Sequence, residues 1–139
     1  MSEEANTAIV RRCYEMFGNG DISGVIEQLS EDVSLMVPEV ENSPFGGIWF
    51  GRDQVRKFFD VLELAEEITD FEAREYIAKD DRVFVLGRST ATVRATGRHY
   101  STEWVHILTV KDGRITSMVE FFDTASALRA FQKVTTALI

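Results

Sequence analysis

Before Phe71 the apolar residues of this chain recur at three- and four-residue spacing, and from Phe71 onward they alternate with period two. Ile9, Cys13, Met16 and Phe17 form one stripe of an amphipathic helix that the Gly18-Asn19-Gly20 run stops. Asp21 stands where an N-cap is needed for a second, short helix with Ile22, Val25, Ile26 and Leu29 on its apolar face. Residues 32–37 predict a first strand, ended by Pro38. Residues 38–50, PEVENSPFGGIWF, hold both prolines and the Gly46-Gly47 pair, which predicts an irregular loop. Phe45, Ile48, Trp49 and Phe50 are too apolar for a solvated linker, so this loop should pack back onto the domain. Gly51 then opens a third helix with Val55, Phe58, Phe59 and Leu62 on one side.

The second half predicts strands over 71–79, 82–95, 99–110 and 115–123. Asp80-Asp81, Thr96-Gly97 and Lys111-Asp112-Gly113 separate them with the turn chemistry of hairpins. Residues 124–132, TASALRAFQ, predict a short closing helix capped by Asp123 or Thr124. Helices followed by a long meander point to one α+β domain over 1–139, with helices packed on one face of the sheet. In the last two strands one face carries Trp104, His106, Leu108, Met118, Glu120 and Phe122, and the other Val105, Ile107, Val119 and Phe121. Neither face is polar enough to meet water alone, so one should lie under the helices and the other against a second copy, making a homodimer.

Charge narrows the partners. Twenty-three acidic residues against fifteen basic ones give a net charge of −8, and no basic run offsets it locally. Nucleic acid and anionic membrane surfaces are therefore disfavoured partners. The acidic N-terminus does not read as a signal peptide and no apolar run is long enough to span a bilayer, so the expectation is a soluble cytoplasmic protein. Cys13 is the single cysteine, which excludes an internal disulfide and a thiol-based metal site. His99 and His106 lie on opposite faces of one strand with no third ligand in view, and Gly46-Gly47 lacks the context of a phosphate loop. Neither a metal nor a cofactor is expected.

The candidate chemistry is a pair. On adjacent antiparallel strands joined by a short loop around Asp112-Gly113, His106 and Glu120 should come out roughly opposite each other with their side chains on one face. A carboxylate and an imidazole side by side in an apolar pocket can share a proton near neutrality, as general acid/base work on a carbon acid requires. Such a pair also occurs as a satisfied polar bridge in a core. Trp104, Trp49, Phe122, Phe17 and Phe58 are the aromatic candidates for a ligand-facing wall, with Tyr14 and Val37 beside them. Glu103 shares the parity of Val105 and should point away, and His99, beside a turn, should be exposed. The alternation around Arg88 leaves its face open: inward it would pair with Glu120, outward it would meet solvent or a partner.

Four stretches carry a resemblance. Asn19-Gly20-Asp21, Trp49-Phe50-Gly51-Arg52 before Val55–Phe59, Trp104-Val105-His106 before Val110–Ile115, and Glu120–Ala125 resemble the nuclear-transport-factor-2-like (NTF2-like) superfamily, in its SnoaL-like and ketosteroid-isomerase-like branch. The resemblance implies a cone-shaped, curved antiparallel or mixed sheet covered by N-terminal helices, a cystatin-like roll with an internal pocket. Trp104, His106, Glu120 and Phe122 match pocket positions. Ketosteroid isomerisation needs a Tyr on the first helix, an Asp base ending the first strand and a protonated Asp on the penultimate strand. The matching positions hold Cys13, Val37 and His106, and Tyr14 lies about 100° further round the helix. Because Val37 cannot take a proton, the resemblance points instead to a cofactor-free cyclase or isomerase of SnoaL-like type, with Glu120 shuttling the proton and His106 assisting. Its substrate would be a small apolar carbonyl-containing or polycyclic molecule. The alternatives are a non-catalytic binder of an apolar ligand and, below it, an epoxide hydrolase, which would need an Asp-Arg-Asp group where this pocket was expected to offer one carboxylate.

Overall fold

A computed structural model describes residues 2–133. Its elements follow the predicted order: α1 (Glu3–Gly18), α2 (Ile22–Glu27), β1 (Leu29–Val37), β2 (Gly47–Phe50), α3 (Gly51–Ala65), β3 (Glu66–Lys79), β4 (Arg82–Val93), β5 (His99–Lys111), β6 (Arg114–Phe122) and α4 (Thr124–Phe131). The strands form one curved sheet in the order β2-β1-β6-β5-β4-β3. All neighbours are antiparallel except β1 and β6, which run parallel, so the sheet is mixed.

Local chemistry sets the boundaries. Ser2 caps α1 by accepting from the Ala5 amide, Asp21 caps α2 through Gly24, and Asp123 caps α4 through Ser126. The β5–β6 turn places Asp112 at φ 51° and Gly113 at φ 77°, the left-handed pair of a tight hairpin. α3 lies against β1, and α1 against β3 and β4. The core between helices and sheet is built on buried Val10, Val83, Val85, Val93 and Ile115.

Beyond shifts of one or two residues at element ends, the structure departs from the sequence expectation in β1, β2 and β3. β1 begins at Leu29, which belongs to the strand and not to the helix before it. The 38–50 loop contains β2, paired with β1 from Val37↔Gly47 to Ser34↔Phe50. β3 begins at Glu66 rather than Phe71, running straight on from α3. Register shifts between Ile68 and Asp70 and between Ala73 and Glu75 break the strict alternation, so its period is hidden in the sequence. No helix among the described residues is long and apolar enough to cross a membrane.

Candidate functional site

Between the helices and the concave face of the sheet lies a cavity of about 160 Å³. α1 contributes Cys13, Tyr14 and Phe17, α3 contributes Phe58, Phe59 and Leu62, and the sheet contributes Phe71, Trp104, His106, Glu120 and Phe122. The wall is apolar with a few polar groups, and neither Lys nor Arg is among its residues.

His106 and Glu120 are cross-strand partners on β5 and β6, brought opposite each other by a register shift between Thr109 and Val110 that a plain count from the turn does not contain. His106 Nε2 lies 2.6 Å from Glu120 Oε2, with both side chains largely buried. The other ring nitrogen, Nδ1, lies 2.5 Å from the Tyr14 hydroxyl. Burial, reinforced by the charge of Glu120 and by Tyr76 and Cys13, pushes the Tyr14 phenol well above its ordinary range, so it stays protonated. In the tautomer that carries its proton on Nε2, His106 donates to Glu120 and its Nδ1 accepts from the Tyr14 hydroxyl. Three side chains from three elements thus form one hydrogen-bonded chain ending in the cavity.

Tyr14, a pocket candidate whose offset from Cys13 argued against its replacing that position, lines the cavity and reaches His106. The ring lies parallel to Trp104, at 6.0 Å and 7°, and stacks on His106 and Phe71, so a long side chain reaches what its Cα position alone would not. Cys13 also lines the cavity, but burial pushes its thiol up to about 12 and leaves it a small apolar residue.

A second carboxyl was missed. Glu66, at the junction of α3 and β3, is only 6% exposed and lines the same cavity, so the expectation of one carboxylate is wrong. Its Oε2 accepts a hydrogen bond from the Tyr100 hydroxyl at 2.6 Å. Burial raises its pKa to about 7 against the opposing effect of the Tyr100 hydrogen bond, and Glu120 adds to the rise. The signal available in the sequence was spacing: position 66 continues the helical stripe 55-58-59-62.

Of the aromatic and apolar candidates, Tyr14, Phe17, Phe58, Trp104 and Phe122 line the cavity, whereas Trp49 and Val37 are not among its lining residues. Trp49 donates its indole N–H to the Phe45 carbonyl and packs edge-on against Phe58, one layer behind the wall. Val37 is buried in the core at the end of β1. Arg88 takes the outer face, half-exposed and 3.8 Å from Asp70, because the inner face of β4 is Val83, Val85, Gly87 and Ser89. With no Arg in the wall, the Asp-Arg-Asp group of an epoxide hydrolase is not assembled. Glu103 and His99 are exposed, the latter bonded to Thr92. Among the described residues no group of three or more His, Cys, Asp or Glu is placed to hold a metal ion.

Trp104 has two further features. Its ring stacks on His106 at 4.1 Å, and its indole N–H is buried without a hydrogen-bond partner among the described residues. Gly87, its cross-strand neighbour, leaves the space that the six-membered ring occupies.

Residues 10–118 match the model of the SnoaL-like domain family. An NTF2-like protein of Burkholderia xenovorans superposes with a TM-score of 0.85 at 30% identity, covering 95% of this chain and 99% of that one. TerC, co-crystallised with polyporic acid, superposes with a TM-score of 0.82 at 26% identity, covering 91% and 98%. Among curated proteins, the uncharacterised Rv0034 of Mycobacterium tuberculosis is 24% identical over 132 residues, 94% of this chain and 98% of that one.

Proposed function

The chain belongs to the SnoaL-like domain family of the NTF2-like superfamily, and from that premise we propose that it is a cofactor-independent isomerase or cyclase acting on a small carbonyl compound. The observation that carries this reading is the Tyr14–His106–Glu120 hydrogen-bond chain opening onto an apolar cavity. Glu120 is the base. With Oε2 held by His106, its other oxygen takes a proton from the carbon α to the carbonyl, and the C–H electron pair becomes the enolate. Tyr14 holds the imidazole in the tautomer that faces Glu120 with an N–H, so that the carboxylate is oriented before substrate arrives. Returning the proton to a different carbon completes an isomerisation. Alternatively the enolate carbon attacks a second carbonyl within the molecule, forming a C–C bond, and the new alkoxide takes the proton from Glu120.

Size restricts the substrate. Cavities of about 150 Å³ accommodate a single benzene ring, so 160 Å³ suits a one-ring molecule better than a polycyclic one. A second reading, ligand capture without turnover, draws on one observation: both ring nitrogens of His106 are already satisfied within the protein. We further propose that the outer sheet face with Val105, Ile107, Val119 and the half-exposed Phe121 meets a second copy of the chain.

Hydrogen–deuterium exchange at the methyl group of acetophenone, followed by NMR in D₂O, separates turnover from capture. Wild type should exceed the buffer rate, and Glu120→Gln should slow exchange by about 10²- to 10⁴-fold. Exchange at the buffer rate across a panel of one-ring ketones, or exchange undiminished in Glu120→Gln, refutes the catalytic reading.

A further inference from the structure

The wall of the cavity carries two carboxyls and no Lys or Arg. Glu120 has its place in the chain to His106 and Tyr14. Glu66 is not part of that chain. It enters from a different element, where α3 runs without a loop into β3, and the one hydrogen-bond partner of its side chain among the described residues is the Tyr100 hydroxyl. The ionisable groups that face it are Tyr100 from β5 and Glu120 from β6, with His106 and Tyr14 behind the latter. Arg94, just beyond β4, is tied to Glu63 on the outside. No cation therefore compensates a charged Glu66, which would sit buried and opposite a second carboxylate.

Neutral Glu66 suits these surroundings better, and burial holds its pKa near 7. A neutral carboxyl has an O–H to donate. Tyr100 already donates to Glu66, and no protein group among the described residues accepts from it. Tyr100 and Trp104 belong to the same wall. A buried carboxyl that lines a cavity and has an O–H left to donate suits a ligand with an oxygen atom.

We propose that Glu66 is a second catalytic residue of this cavity, an uncharged carboxyl that donates its hydrogen bond to the carbonyl oxygen of a neutral, one-ring ligand whose acidic C–H faces Glu120. The proposal rests on the reading of Glu120 as base. As the C–H bond breaks toward Glu120, negative charge grows on the ligand oxygen, where the Glu66 O–H stabilises it. If the proton crosses, the O–H bond of Glu66 breaks, the enol forms, and Glu66 is left as a carboxylate beside Tyr100; collapse of the enol returns the proton. The same wall selects against acids, because an anionic ligand would meet two carboxyls and no cation.

Acetophenone and benzoate, of nearly equal size, are the probes, and calorimetric binding is the measurement. Wild type should bind acetophenone about thirtyfold more weakly at about pH 8.5 than at about pH 6, as the donor form of a group titrating near 7 is depleted. Glu66→Gln, whose amide still donates, should bind the ketone equally at both values, and benzoate should bind at neither. A flat wild-type profile, a pH dependence that survives in Glu66→Gln, no ketone binding at about pH 6, or benzoate binding as tight as the ketone would each overturn the proposal. Carbon-13 titration of the Glu66 carboxyl in wild type covers a variant that fails to fold. Saturating acetophenone should move its midpoint upward, and an unmoved midpoint overturns the assignment. Glu120→Gln should keep the pH-linked binding while losing exchange, so failure of the base and failure of the donor give different results.

Discussion

Replacing Glu66 by Gln tests the burial of this carboxyl without any ligand. An isolated glutamate titrates near 4.5, and in the fold Glu66 is held near 7. Between those values the native state keeps a proton that the unfolded chain has released, so wild-type stability falls as pH rises through this window. The sign is opposite to that of a salt-bridged carboxylate. The size of the displacement corresponds to about 3 kcal/mol, present as a penalty above pH 7 and absent below about pH 4.5. Gln has the shape of the neutral acid and can still accept from Tyr100, but it does not titrate. Urea unfolding of both proteins across this range should give equal stabilities at the acid end. At about pH 8 the variant should be more stable by about 3 kcal/mol, a midpoint difference of about 1.5 M urea. A constant difference at every pH, or a variant less stable at the alkaline end, would show that Glu66 is charged in the native state and refute the reasoning.

Gly87→Ala would place a Cβ into the six-membered ring of Trp104 and against the Glu72 carbonyl, both fixed by their own strands. We expect a loss of about 1–3 kcal/mol in denaturant unfolding, with a changed tryptophan emission as the ring is pushed off His106. Phe121→Lys, on the outer face where Phe121 is 53% exposed, should turn a dimer into a monomer in sedimentation while leaving the fold intact, and an unchanged mass would rule out this face as the contact.

Much of this molecule was legible from period and turn chemistry. Asp112-Gly113 marked a tight hairpin, and alternation along its two strands put His106 and Glu120 on one face, while the register shift between Thr109 and Val110 that brings them directly opposite was not legible. The aromatic stripes of α1 and α3 marked Phe17 and Phe58 as inward for a similar reason. Where irregular backbone intervened, the pattern failed. The register shifts of β3 erased its alternation and hid Glu66, and the loop after β1 concealed a short strand that turns Trp49 away from the cavity.

The sequence by itself determined the α+β class, the order of the main elements and the common face of His106 and Glu120, since each follows from contacts between residues near in the chain or linked by one hairpin. Their direct pairing rests on the register shift between Thr109 and Val110. Only the tertiary structure decided that Tyr14, 92 positions from His106, completes the proton chain, and that Tyr100 reaches Glu66. Helix periodicity fixes the direction of a Cα–Cβ bond, but the reach of a tyrosine depends on how the helix docks on the sheet. The charge state of Glu66 is also a tertiary property, because it is set by the water that packing removes and the cation that packing does not supply.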